Sequence, residues 1–198
     1  MLRSLWGDFV GLIFPRLCLA CREPLMTGEN HLCTGCRAEL PYTDFHLLPP
    51  EQNPIGRRFW GKLPVRHTLS YLRFVRHGRV QNLLHELKYQ GQRDVGTALG
   101  QLYGAELRTA GLAADFDLIV PVPLHPRKQA KRGYNQAAAF ANGLAEGLQL
   151  SSNATALRRT THTSTQTQKN RAQRWENVAT VFEVENPTEP ARSAHSRG

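Results

Sequence analysis

The sequence DFDLIVPVPLHPRKQAKRGYNQAAAFANGLAEGLQL, residues 115–150, contains most of the information about the fold. It begins with an apolar, β-branched run closed by prolines, which predicts a β-strand at 115–124. Because this run is apolar on both faces, it is typical of a parallel strand covered by helices on both sides. A basic loop follows, and residues 135–150 then place apolar side chains at helical spacing.

A strand, a loop and a helix in this order form half of a βαβ unit and predict an α/β fold. Ligands with phosphate groups bind to such folds at the carboxyl ends of strands, near helix N-termini. The loop carries no acidic residue and four basic ones, which are Arg127, Lys128, Lys131 and Arg132. The sequence therefore predicts that this loop binds an anion.

Two helices are predicted before the strand. Residues 79–91 place four apolar side chains on one helical face, namely Val80, Leu83, Leu84 and Leu87. Gly91 is positioned to end this helix. Residues 94–107 predict a second helix with Asp94 as its N-cap, although the glycines in this segment lower its helical propensity.

Composition divides the rest of the chain. Residues 1–15 predict a short amphipathic helix or apolar cover, and the proline-rich residues 41–65 predict a linker. Residues 67–75 and 178–184 have the alternation and β-branched content of strands. Residues 185–198 have no apolar period and predict a disordered tail.

The four cysteines form two CxxC pairs separated by eleven residues, and they are Cys18, Cys21, Cys33 and Cys36. Two tight turns of this kind direct four thiolates to one point, which is the tetrahedral set that structural zinc prefers. Iron is the second choice of metal. His31 lies between the pairs, and with four thiolates present we expect it to be a bystander.

The alternatives to a metal site are two disulfides or two redox pairs. Disulfides are disfavoured because the N-terminal sequence lacks the features of a secretion signal. A redox CxxC normally stands alone at the head of a helix in a thioredoxin-like unit. The sequence therefore predicts a small zinc ribbon within residues 1–40, which folds when it binds the metal because so short a module has little core.

The net charge is +9 and the isoelectric point is about 9.9. Such an excess of positive charge favours anionic binding partners, such as nucleic acid, phosphorylated small molecules or an anionic membrane surface. A single basic run is as often a solvated surface as a binding site. This chain has three such runs interleaved with aromatic residues, which favours a surface that binds nucleic acid or polyphosphate. No run approaches the ~18 apolar residues of a membrane span, and we expect a cytoplasmic protein.

Three motifs together resemble the ComF family of competence-associated proteins: LKYQG at 87–91, VPVPLHPRKQAKRGYNQ at 120–136 and ENVATVF at 176–182. The resemblance covers roughly residues 5–183 and includes the cysteine pairs. It implies a domain at 66–184 similar to a type I phosphoribosyltransferase, a doubly wound, mostly parallel α/β fold that binds phosphoribosyl pyrophosphate with magnesium. The family is linked to DNA uptake, with single-stranded DNA as a suggested ligand.

Carried over to this sequence, the resemblance implies a set of residues that face phosphate or nucleic acid: Lys88, Arg127, Lys128, Lys131, Arg132, Gly133, Asn135, Gln136 and Arg174. Fixed cations, a glycine that permits close backbone approach and free amides at a helix start all suit an anion. Gln166 and Asn177 match further family positions whose roles stay open.

The sequence departs from the phosphoribosyltransferase pattern after VATVFEV. Enzymes of this type carry a later strand that ends in two adjacent acids, followed by a loop rich in threonine and glycine. Neither feature follows residue 184 in this sequence. We therefore expect a sheet that is incomplete at the C-terminus, a chain truncated before that motif, and no complete catalytic site.

Three functions follow from these observations. The first is a ComF-type protein of DNA uptake that binds single-stranded DNA or a phosphorylated ligand and works with other competence or DNA-processing proteins. The second is a phosphoribosyltransferase that uses phosphoribosyl pyrophosphate and magnesium. The third is a structural zinc-ribbon adaptor. The basic runs favour the first over the third, and the missing acidic motif argues against the second.

Overall fold

The computed structural model describes residues 15–89, 91–160 and 181–185. The predictions for the N-terminal helix, for Arg174 and for the C-terminal tail after residue 185 lie outside these ranges. The described part is a mixed α/β structure, and it contains the following regular elements. The helices are α1 (Thr34–Glu39), α2 (Arg79–Tyr89), α3 (Arg93–Thr109), α4 (Pro126–Arg132) and α5 (Gln136–Leu148). The strands are β1 (Leu118–Ile119), β2 (Ser151–Ser152), β3 (Leu157–Arg159) and β4 (Phe182–Val184).

Strand β1, helix α5 and strand β2 form a βαβ unit, of which the sequence predicted the first strand and the helix. β1 pairs with β2 in parallel, with Leu118 opposite Ser151 and Ile119 opposite Ser152. The Asn153 backbone N–H extends the pairing by donating to the Ile119 carbonyl at 3.0 Å. The second small sheet pairs β3 with β4 antiparallel, which confirms a strand in the part of 178–184 that the structure describes.

The strand predicted at 115–124 is shorter and less covered than the sequence indicates. Only residues 118–119 join a ladder. Leu118, Val120 and Val122 alternate along the chain and are 42%, 41% and 58% exposed. The prediction that helices cover both faces is therefore wrong for this run, because only the alternate face, which carries Ile119, packs on the core.

Helix α2 is confirmed at the predicted position, and it buries Val80, Leu83 and Leu87. Gly91 follows it with a φ of +67°, a left-handed conformation that favours glycine. Helix α3 is also confirmed, but its N-cap is Gln92, which makes no side-chain capping bond. Asp94 lies inside the first turn, where its charge still favours the helix dipole.

Helices α3 and α5 pack with their backbones in contact, and glycines make this possible. A Cβ atom added to Gly143 would lie 1.9 Å from the Thr97 carbonyl oxygen, and one added to Gly100 would lie 2.2 Å from the Phe140 carbonyl oxygen. Both distances are far below any real Cβ contact. The glycines that lower the helical propensity of α3 therefore serve the packing of α3 on α5.

The segments before α2 differ from the sequence prediction. Residues 67–75 form no sheet strand, and their only ladder contact is an isolated antiparallel bridge between Tyr42 and Leu72. The predicted linker at 41–65 contains three short 3-10 helices. Asn53 is buried among them; its side chain donates to the Thr68 carbonyl at 2.6 Å and accepts backbone N–H groups. This part of the chain is therefore folded.

One hydrophobic cluster joins the cysteine-rich segment to the helices. Its buried members include Cys18, Leu32 and Leu40 from the first segment and Leu83 and Val95 from α2 and α3.

No helix within the described ranges is long and apolar enough to cross a membrane. The α/β character is thus confirmed, whereas the doubly wound arrangement stays a prediction.

Candidate metal centre and anion-binding surface

The four cysteine sulfur atoms converge as the spacing predicts. All four lie within 4.8 Å of one another, and none forms a disulfide. The Cys21 and Cys33 sulfur atoms are 3.8 Å apart. A tetrahedral zinc with Zn–S bonds of ~2.3 Å separates its sulfur ligands by about this distance. His31 does not belong to the cluster.

Backbone N–H groups surround the sulfurs in the way that thiolates require. Cys33 N–H donates to the Cys18 sulfur at 3.4 Å, and Cys36 N–H donates to the Cys33 sulfur at 3.3 Å. Burial raises the pKa of the Cys18 thiol, but hydrogen bonds from several backbone N–H groups outweigh burial and bring its pKa down to about 6. Burial and the neighbouring sulfurs raise the pKa of Cys36, so a cation is needed before all four can be thiolates together.

These residues fit a structural zinc ion. Four sulfur ligands fill a tetrahedral shell and leave no open position for a substrate, which distinguishes a structural site from a catalytic one. Two of the ligands, Cys18 and Cys36, are buried. When bound, zinc cross-links the two CxxC turns. We call the described part of this segment, residues 15–40, the zinc ribbon.

Helix α2 holds the zinc ribbon through polar contacts on one side. Glu86 is buried, and its carboxylate accepts a hydrogen bond from the Arg22 guanidinium. Asn82 donates its side-chain amide to the Ala20 carbonyl at 2.8 Å. At the start of the helix, Arg79 pairs with Glu39 at 2.6 Å. Arg22, the Ala20 carbonyl and Glu39 of the zinc ribbon are thus all engaged in contacts with helix α2.

The basic segment after β1 is a helix rather than the predicted loop. Pro126 is its first residue, a favourable position because proline has no N–H to leave unpaired. The His125 ring nitrogen Nδ1 accepts the Arg127 N–H at 3.2 Å and caps the helix. Gly133 ends it with a φ of +83°. We call residues 125–133 the basic turn.

The four Arg and Lys side chains of the basic turn have no partner of opposite charge among the described residues. Arg127 and Lys131 are exposed, and Lys128 and Arg132 are half-buried. Within the described ranges none of these four side chains forms an ion pair, whereas Arg22, Arg66, Arg79 and Arg158 all do. The basic turn therefore has a positive field that the described structure does not neutralise.

The two predicted amide ligands have different surroundings. Asn135 donates to the Val122 carbonyl at 3.0 Å and accepts the Ala137 N–H at 3.0 Å, so its side chain caps α5 and fixes the end of the strand run. Gln136 has its side-chain nitrogen buried without an acceptor among the described residues. An unpaired buried donor beside a helix start is costly and suits an anion.

Tyr134 connects the basic turn to the end of α2. Its hydroxyl donates to the Leu87 carbonyl, and Tyr134, Leu87 and Ala139 form a small buried cluster. The Arg93 guanidinium lies 5.3 Å from the centre of the Tyr134 ring. Burial raises the pKa of Tyr134, and the positive charges of Arg132 and Arg93 oppose this rise.

The structure thus brings the end of α2, which carries the exposed Lys88, close to the basic turn. The sequence prediction counted Lys88 among the contact residues, named Tyr134 only as one of the aromatic residues interleaved with the basic runs, and did not include Arg93. The apolar ring between Gly133 and Asn135 was a signal for Tyr134, because a tyrosine within a polar run often packs its ring while its hydroxyl finds a partner. No sequence pattern indicates Arg93, which reaches the basic turn only through the fold.

Comparison with known protein families identifies the cysteine-rich segment. The double zinc ribbon domain family matches residues 9–46, which contain all four cysteines. The chain therefore carries a zinc ribbon, and structural zinc is its cofactor.

Its relatives extend along most of the chain. It is 29% identical over 194 residues to the DNA utilization protein YhgH of Escherichia coli, covering 90% of this chain and 82% of that protein. It is 27% identical over 187 residues to Competence protein F of Haemophilus influenzae, covering 84% of this chain and 76% of that protein. No solved structure matches significantly. The chain is a homologue of these proteins, and the resemblance to the ComF family is confirmed.

Proposed function

We propose that this protein takes part in DNA uptake or use, and that the basic turn binds the phosphates of single-stranded DNA. The names of two relatives, DNA utilization protein and Competence protein F, support the DNA role. The basic turn supplies the chemistry, since unpaired arginine and lysine side chains are the groups that bind nucleic-acid phosphates.

The observation that carries this proposal is the charge arrangement of α4. Arg127 and Lys131 are four residues apart on this helix, and so are Lys128 and Arg132. Like charges at this spacing destabilise a helix by roughly 0.2–0.5 kcal/mol per pair. No acidic side chain pairs with these four within the described ranges. An arrangement that costs stability, with no ion pair among the described residues to offset it, favours an external anion.

The surroundings of the basic turn add three more features. The exposed Lys88 lies at the adjacent end of α2, Arg93 lies over the Tyr134 ring, and the buried Gln136 amide lacks an acceptor among the described residues. Arg174, the remaining predicted contact, lies outside the described ranges. Together these groups give phosphate oxygens both charge and directed donors.

We also propose that the larger domain is of the doubly wound, phosphoribosyltransferase-like type. The parallel β1–α5–β2 unit supports this idea, and in such folds anions bind at the carboxyl end of the strand, where the basic turn lies. A phosphoribosyl or pyrophosphate ligand shares the phosphate chemistry of DNA, so competition by pyrophosphate tests whether the two use one surface.

The test is a salt titration of binding to a fluorescent single-stranded oligonucleotide, with the zinc-loaded chain. Log affinity should fall linearly with log salt, with a slope of about −0.7 for each phosphate contacted. The Lys128→Gln/Arg132→Gln variant removes one like-charged pair, so it should remain folded while its slope becomes shallower by about 1.4. Absence of binding at low salt would overturn the proposal, and so would an unchanged slope in the variant.

A further inference from the structure

An exposed aromatic pair lies at the end of α2. The Tyr89 side chain is 69% exposed, and His85, one helical turn earlier, is exposed as well. The two ring centres are 5.0 Å apart with an interplanar angle of 43°. His85 thus supports one side of the tyrosine ring while solvent reaches the rest.

The helix that carries the aromatic pair contacts Tyr134, the residue that follows the basic turn. The carbonyl of Leu87, two residues before Tyr89, accepts the hydroxyl of Tyr134. Lys88, between Leu87 and Tyr89, is exposed. A flat, exposed aromatic surface and a set of unpaired cations therefore occur together at the junction of α2 with the basic turn.

The two features recognise different parts of the same ligand. Cations bind phosphate, but an aromatic ring binds the flat face of a base, and such stacking contributes ~1–3 kcal/mol per base. In a duplex the base faces are covered by their neighbours, and a small phosphate or pyrophosphate has no such face. An unpaired strand offers both groups at once, which neither a duplex nor an inorganic phosphate does.

We propose that Tyr89, supported by His85, stacks on an unpaired base of a DNA strand whose phosphates contact the basic turn. This inference rests on the proposed function and specifies it further, because it assigns the preference for single strands to a residue outside the basic turn. Tyr89 contributes affinity that depends on bases, and the basic turn contributes affinity that depends on salt.

The experiment compares two polyanions on the zinc-loaded chain. One is a single-stranded oligonucleotide, and the other is inorganic polyphosphate, which has phosphates but no bases. Tyr89→Leu keeps apolar bulk at the helix end but removes the aromatic face, and Tyr89→Phe keeps that face. Trp60→Leu is the control, because Trp60 is also largely exposed, at 56%, and lies in the 41–65 segment.

Tyr89→Leu should weaken oligonucleotide binding about 5- to 150-fold with an unchanged salt slope. Its affinity for polyphosphate should stay at the wild-type value, and Tyr89→Phe should bind the oligonucleotide like wild type. Trp60→Leu should change neither affinity.

Two outcomes overturn the stacking role while leaving the proposed function intact. In the first, Tyr89→Leu binds the oligonucleotide as tightly as wild type. In the second, Tyr89→Leu loses oligonucleotide and polyphosphate affinity equally, which indicates a distorted helix end. If wild type binds no oligonucleotide at low salt, the proposed function itself fails, and the inference fails with it.

Discussion

Arg22 and Arg79, at the contact of the zinc ribbon with α2, each donate to a carboxylate, Glu86 and Glu39 respectively. Arg127 and the other cations of the basic turn contact no carboxylate in the described part of the chain. Both regions are rich in basic residues, yet one uses its charge for packing and the other leaves it open. Net charge alone does not distinguish the two, and the pairing of individual side chains does.

The same contrast appears in what holds each region together. The zinc ribbon depends on a metal and on an ion pair whose carboxylate, Glu86, is buried, so a change in either should affect folding. The basic turn depends on proline, a cap and glycine for its shape, and its four cations form no ion pair in the described part of the chain. Variants of the first region should therefore alter stability, and variants of the second should alter binding.

The largest expected effect comes from removing the metal. Cys33→Ser should lose the zinc, about one ion per chain, because three thiolates and a hydroxyl do not complete the tetrahedral set. The ribbon should then unfold, because structural zinc contributes folding free energy of about 10–16 kcal/mol in isolated zinc modules. Elemental analysis and thermal unfolding measure both changes.

The control for this prediction is His31→Ala. His31 lies between the cysteine pairs but outside the cluster, so this variant should keep its zinc. Zinc retained by Cys33→Ser, or disulfides in protein purified under reducing conditions, would contradict the assignment of the four thiolates.

The next largest effect is expected from the close packing of helix α3 on helix α5. Gly143→Ala places a methyl group 1.9 Å from the Thr97 carbonyl oxygen, so α5 must move away from α3. Overpacking of this kind costs about 1–3 kcal/mol and sometimes more, and denaturant unfolding measures it.

Gly35→Ala is the matched control, since a Cβ at Gly35 meets nothing within 4 Å and the residue lies in helix α1. This variant should be neutral or slightly stabilising, because alanine is the better helix former. If the two alanine variants unfold alike, the close packing of α3 on α5 is not a source of stability.

A smaller effect is expected from the ion pair between the ribbon and α2. The Glu86 side chain is 6% exposed and its Arg22 partner is 48% exposed. Glu86→Gln removes the charge but keeps the shape, and it should lower the free energy of unfolding by about 1–2 kcal/mol. Chemical denaturation measures this difference.

Arg158→Gln provides the comparison, because Arg158 and Glu183 are 61% and 59% exposed. Exposed pairs contribute about 0–1 kcal/mol, so this variant should unfold close to wild type. An equal loss in both variants would mean that burial does not distinguish the two pairs.

The parts of the structure that the sequence predicted are those that depend on local spacing. The CxxC pairs define the metal centre because two tight turns suffice to direct four sulfurs. Helix α2 follows from the period of Val80, Leu83 and Leu87, and the first half of the βαβ unit follows from strand, basic segment and helix in order. Each of these needs only a short stretch of chain.

The parts that the sequence did not predict depend on contacts between distant segments. Gly100 and Gly143 lower helix propensity locally, and the close packing that they permit is evident only once α3 and α5 are in contact. The helix in the basic turn was missed because repelling cations obscured two local signals, Pro126 at its first position and Gly133 after its end. Arg93 joins that region only through Tyr134.

If the unpaired cations of the basic turn bind DNA phosphates, affinity should depend on these side chains rather than on the overall positive charge. Two variants of equal net charge test it. The first changes Arg127, Lys128 and Lys131 to glutamine, and the second changes the paired cations Arg66, Arg79 and Arg158 to glutamine.

The measurement is the slope of log affinity against log salt for single-stranded DNA. The basic-turn variant should have a slope shallower by about 2, which is ~0.7 for each lost phosphate contact. The paired-cation variant should keep the wild-type slope. Equal changes in the two variants would contradict the account, because they would show that only net charge matters.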